Sequence, residues 1–164
     1  MVAETLVPGV PGYIGRLVGK EAFFYQAWSR LDGCVRLDAA DLAPLRVRAR
    51  TEPETTRNFL LALDDIAALY GGGFAAAVDL GPCRRLLDVG GGVGSYAVAL
   101  AQKYPDLQAT ILELPEVVPW ARDFVSAAGL ADRIAVQPFD FLTAELPVPA
   151  AFDSSSSFCA TRRT

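Results

Sequence analysis

From Arg85 to Tyr96 the chain reads Arg-Leu-Leu-Asp-Val-Gly-Gly-Gly-Val-Gly-Ser-Tyr. A short apolar run, Leu86 to Val89, ends in four glycines within five residues. Tyr96, Ala97, Leu100, Ala101 and Tyr104 then recur at helical spacings. Strand, glycine turn, helix is the opening of a nucleotide-binding α/β unit. Glycine tolerates positive φ and lacks the Cβ that would hold a ligand off the backbone. The first N–H groups of the next helix have no helical partner and face that ligand. A plain strand-to-helix turn needs one glycine, so four point to a ligand-binding loop.

Composition bounds the rest. A chain of 164 residues with 52% apolar content is long and apolar enough for a folded domain with a real core. No apolar run reaches the length of a membrane span, and Met1 to Val10 carries Glu4 and no basic residue, unlike a signal peptide. Cys34, Cys83 and Cys159 are odd in number and widely spaced. They form no metal pattern and fit reduced thiols in a cytoplasmic protein. A net charge of −4 without a basic block argues against nucleic acid as a partner. The chain has no histidine, which removes the commonest general base and the commonest metal ligand.

The first 80 residues read as mainly helical. After a Pro/Gly-rich opening over residues 5–15, a helix is expected from Tyr13 or Leu17 to Leu31, ended by Asp32-Gly33. Its apolar face, Leu17, Phe24, Ala27, Trp28 and Leu31, is broad enough to meet a partner subunit. Val35 to Arg50 is mixed. Arg46, Arg48 and Arg50 alternate with Val47 and Ala49, as in a surface strand or an exposed loop, and a solvated basic face is preferred over an anion site. Thr51-Glu52-Pro53-Glu54 predicts a capped helix start, with Thr51 as the cap. Gly71-Gly72-Gly73 is expected to stop that helix, and Phe74 to Asp79 to form a separate short one.

From residue 81 the pattern alternates. Strands are predicted at Leu86–Val89, Ala109–Glu113 and Ile134–Gln137, with helices over Ser95–Tyr104 and from Pro115 or Pro119 to Gly129. A fourth strand should start near Ala151-Phe152-Asp153. The four serines that follow cannot form a buried central strand, so residues 154–164 read as an irregular tail. Alternation of this kind implies a parallel sheet, with strand one central and strands two and three to one side. Ligands of such sheets lie beyond the C-terminal strand ends. Those ends carry Asp88 with the glycines, then Glu113, 25 residues further on, then Asp140 and Phe141. A carboxylate at Glu113 can accept from two ribose hydroxyls. Asp140 and Phe141 offer an acid for an adenine amino group and a ring to pack against the base.

The glycine spacing separates ligand classes. In a G-x-G-x-x-G loop counted from Gly90 the third glycine would fall at position 95, which is Ser95. The pattern Asp88-x-Gly90-Gly91-Gly92-x-Gly94 instead resembles motif I of the S-adenosylmethionine-dependent methyltransferases. Leu-Leu-Asp-Val-Gly-Gly-Gly-Val-Gly, Ala-Thr-Ile-Leu-Glu-Leu-Pro-Glu-Val and Gly-Leu-Ala-Asp-Arg-Ile with a following Asp-Phe together resemble the small-molecule O-methyltransferases, the caffeate and polyketide type. Pro-Gly-Tyr-Ile-Gly-Arg-Leu-Val and the helix around Arg57-Asn58-Phe59 are similar to the linker before that family's catalytic domain. One departure is Phe139, where the family usually has glycine.

The resemblance implies an α/β fold: a partial Rossmann-like methyltransferase sheet over residues 81–153, preceded by a helical linker or dimerisation-type segment over 1–80. It implies S-adenosylmethionine as cofactor, a hydroxyl-bearing aromatic or polyketide-like acceptor, and a homodimer. It places Asp88, Gly90, Gly91, Gly92 and Gly94 at the methionine end, Glu113 and Leu114 at the ribose, and Asp140 with Phe141 at the adenine. It assigns no catalytic residue and no metal, because the family's base, typically a histidine, lies beyond the matching segment. It further implies that the chain is truncated or frameshifted after about residue 153. A non-catalytic cofactor-binding or dimerisation fragment, or an inert product, stays open beside the enzyme.

Overall fold

The structure, a computed structural model, describes residues 5–10, 12–37, 45–81, 83–140, 143–144 and 158–162. It divides into two compact units, Met1–Leu69 and Tyr70–Thr164.

The first unit is helical. It contains α1 (Gly15–Trp28), α2 (Leu31–Leu37), α3 (Leu45–Thr51) and most of α4 (Pro53–Ala77). Three expectations are corrected here. Asp32 and Gly33 do not end a helix: the break falls just before Leu31, and Asp32 sits in the first turn of α2, where its charge complements the helix dipole. The arginine-rich stretch forms α3, neither strand nor loop. Thr51 is the last residue of α3, and its hydroxyl donates to the Val47 carbonyl at 3.1 Å. The start of α4 at Pro53, with Glu54 in its first turn, is as predicted. Leu60, Ala62 and Ala67 on α4 and Ala49 on α3 are buried, and the Phe24 and Phe59 rings meet at 5.8 Å. The Arg16 guanidinium makes a two-pronged ion pair with the buried Asp65 carboxylate. Tyr25, Trp28, Leu31 and Val35 remain exposed.

The helix α4 also runs through Gly71-Gly72-Gly73 to Ala77, so the glycines do not stop it. Its last carbonyls find partners within the second unit. Lys103 Nζ donates to the carbonyls of Ala75 and Val78, and the Tyr104 hydroxyl donates to Val78 at 2.8 Å. These bonds outweigh the low helix propensity of glycine. The Leu80 amide donates to the same Tyr104 oxygen at 3.1 Å and, with the Lys103 ammonium, holds the phenol below its ordinary pKa.

The second unit is a parallel sheet of β1 (Arg85–Val89), β2 (Gln108–Glu113), β3 (Ile134–Pro138) and β4 (Phe158–Arg162), in the order β3-β2-β1-β4. Strand one is internal, with strands two and three to one side, as predicted. The helices α5 (Ser95–Lys103) and α6 (Val118–Ala127) return the chain between strands and bury Leu86, Ile111, Ile134 and Val136 with Leu100 and Val125. The tail expectation is corrected: Phe158–Arg162 pairs with β1 in register, Asp88 lying opposite Thr161. The free edge of β1 presents N–H and C=O groups that need partners, and Phe-Cys-Ala-Thr-Arg has the β-favouring composition to supply them. The strand expected near Ala151-Phe152-Asp153 lies outside the described residues. Among the described residues no helix is long and apolar enough to cross a membrane, and no group of three or more potential metal ligands occurs.

Candidate functional site

The loop between β1 and α5 needs its glycines for two different reasons. Gly90, Gly92 and Gly94 have φ of +70°, +63° and +94°, a region that L side chains rarely adopt. Gly91 is required by proximity. A Cβ there would lie 2.5 Å from Asp88 Oδ2 and 2.7 Å from Asp88 Cγ, so the carboxylate occupies the space a side chain would fill. Gly94 meets both constraints, since its Cβ would lie 2.5 Å from Cδ1 of the fully buried Ile111. The loop therefore sits tight against both β1 and β2, with the Gly90 amide donating to the Leu112 carbonyl at 2.8 Å.

Glu113 closes β2 and is 3% exposed. Its Oε2 accepts from the Gly92 amide at 2.7 Å and its Oε1 from the Leu114 amide at 2.8 Å. Both oxygens of the carboxylate thus serve as acceptors for backbone N–H groups. The sequence offers Glu113 as an acceptor for two ribose hydroxyls; the structure adds a brace from its carboxylate to the glycine loop. The signal was present in part: parallel pairing of Val89 with Leu112 puts the residue after β1 beside the residue that ends β2.

The third strand end joins the same edge. The Phe139 amide donates to the Glu113 carbonyl at 2.8 Å, and the Asp140 carbonyl accepts from Thr143 and Ala144. Asp88, Gly90, Gly91, Gly92, Gly94, Glu113 and Leu114 are thus brought together at the C-terminal ends of β1 and β2, with Asp140 following β3. Phe141 lies outside the described residues. Asp88, at 4% exposure, and Glu113 put two buried carboxylates beside the backbone of the glycine loop. That mixture suits a ligand carrying both cationic and hydroxyl groups better than a pyrophosphate, which two carboxylates would repel.

Sheet order, glycine loop and strand-end acids define an α/β protein of the nucleotide-cofactor class. Within that class, residues 40–154 match the O-methyltransferase domain family, and the chain belongs to it. It is 34% identical over 151 residues to a 3-hydroxy-5-methyl-1-naphthoate 3-O-methyltransferase of Streptomyces sahachiroi, covering 90% of this chain and 44% of that protein. It is 32% identical over 122 residues to a mitomycin biosynthesis 6-O-methyltransferase of Streptomyces lavendulae, covering 71% of this chain and 35% of that one. The solved structure of PigF with SAH superposes with a TM-score of 0.76 at 29% identity, over 88% of this chain and 46% of the other. The chain spans less than half the length of these relatives.

Proposed function

We propose that the chain is the cofactor-binding part of an S-adenosylmethionine-dependent O-methyltransferase whose acceptor is a hydroxyl of an aromatic or polyketide-like small molecule. The carrying observation is the joint packing of Asp88 against Gly91 and of Glu113 against Gly92 at one sheet edge. In this reading Asp88, Gly90, Gly91, Gly92 and Gly94 hold the ammonium-bearing end of the cofactor. Glu113 and Leu114 face its ribose, and Asp140 with Phe141 its adenine. The bound cofactor supplies an electrophilic methyl group. The chain's own residues bind and orient, and position contributes most of the acceleration such a transfer needs. The acceptor class rests on the names of the naphthoate and mitomycin relatives.

No residue of this chain is assigned as the base. The chain has no histidine, the commonest general base, so turnover by the 164 residues alone is expected to be negligible. That same observation favours a second reading, a fragment that binds cofactor without catalysis. The exposed Tyr25, Trp28, Leu31 and Val35 support a homodimer through α1 and α2, and the free Cys34 and Cys83 a cytoplasmic setting. Titration calorimetry with S-adenosylhomocysteine tests the cofactor site: saturable binding lost in Asp88→Ala is expected, and no binding by the folded chain overturns it. Methyl transfer to a panel of phenols is expected to be negligible for the 164-residue chain, and robust turnover would overturn both that expectation and the binding-only reading.

A further inference from the structure

Sequence alternation favoured a solvated face for Arg46, Arg48 and Arg50. The structure instead buries Arg48, which is 6% exposed on α3. It lines a cavity of about 460 Å³ within the helical unit, together with Arg16, Lys20 and Phe23 from α1 and Asn58 and Phe59 from α4. We infer that this cavity is a binding site for a planar aromatic carboxylate. The inference concerns the helical unit alone and goes beyond the methyl-transfer reading, on which it does not depend.

The three cations are not equivalent. Arg16 is neutralised by its two-pronged pair with Asp65, and Lys20 is paired with Glu21. Arg48 has a single carboxylate in range among the described residues, that of the exposed Glu52. It lies at 3.9 Å, beyond hydrogen-bond distance. The guanidinium is held over the Phe23 ring, 4.6 Å from its centroid. A cation held over a ring face keeps its N–H groups for a ligand. A buried cation without a hydrogen-bonded counter-ion is costly, and an entering carboxylate can take two parallel N–H bonds from it. Among the described residues no carboxylate side chain lines the cavity to oppose that charge. Phe23, Phe59 and Tyr13 supply aromatic walls. The volume falls in the range of small-molecule sites and accommodates a bicyclic ring. Cation, aromatic walls and size together select an aromatic acid over a bare anion or a neutral ring.

Titration calorimetry on the full chain with 1-naphthoate, 1-naphthol and inorganic phosphate tests this. Saturable naphthoate binding is expected, with naphthol and phosphate each at least about tenfold weaker, and Arg48→Gln should lower naphthoate affinity by a similar factor. Gly19 also lines the cavity, and a Cβ built on it meets nothing within 4 Å. Gly19→Phe should therefore fill the space while helix content, followed by circular dichroism, is kept, and naphthoate binding should be lost. Absence of naphthoate binding, equal binding of naphthol or phosphate, or undiminished binding in folded Gly19→Phe overturns the assignment.

Discussion

At Gly91 a single methyl group decides whether the glycine loop can close on Asp88. Because the ideal Cβ would stand 2.5 Å from the Asp88 carboxylate, Gly91→Ala must displace that group or the loop. Overpacking of this kind costs about 1–3 kcal/mol. The loss should appear in urea denaturation and shrink when Asp88→Ser is added, since the two substitutions share one contact. Glu113→Ala removes two charge-assisted acceptors from buried amides and should cost about 2–4 kcal/mol by the same measurement. Glu113→Gln, which keeps one acceptor oxygen, should lose less than Glu113→Ala. These acids and glycines were legible in the sequence because strand ends mark them by type and spacing. Their mutual contacts were not, since a side chain bonding a loop amide 21 residues earlier depends on register. Arg48 was misjudged for the same reason: alternation cannot reveal that a charged side chain turns inward.

Among the elements, α4 holds the clearest conflict between local preference and outcome. Three consecutive glycines predict a stop, yet the helix continues to Ala77, where Lys103 donates to the Ala75 carbonyl, and Lys103 and Tyr104 to that of Val78 just beyond. Local propensity was read correctly there, but bonds from residues more than 20 positions away decided the result. Gly72 and Gly73 have open space where a Cβ would stand. Gly72→Ala and Gly73→Ala should each stabilise the chain by about 0.5–1 kcal/mol, raising the thermal midpoint in calorimetry. Tyr104→Phe should act in the opposite direction, by about 1–2 kcal/mol, because one oxygen serves both Val78 and Leu80. The alternating half was legible almost to the residue, since β1, α5, β2 and β3 each carry a clean period between Gly or Pro boundaries. α3 was not, because its seven residues are too few to establish a helical period.

At the scale of the molecule, β4 converts β1 from an edge strand into an internal one. A chain ending at Asp153 should therefore melt at a lower temperature than the 164-residue chain and scatter more light on heating, as unpaired edges template association. The serines of residues 154–157 hid this strand because they precede it rather than form it: β4 starts only at Phe158. The bond from Gly92 to Glu113 has a consequence in time. With the loop already clasped to β2, an arriving ligand meets a finished shape and sacrifices little freedom in the protein. Stopped-flow traces should then show an observed rate that climbs in proportion to ligand concentration without levelling off, the kinetics of encounter rather than of rearrangement.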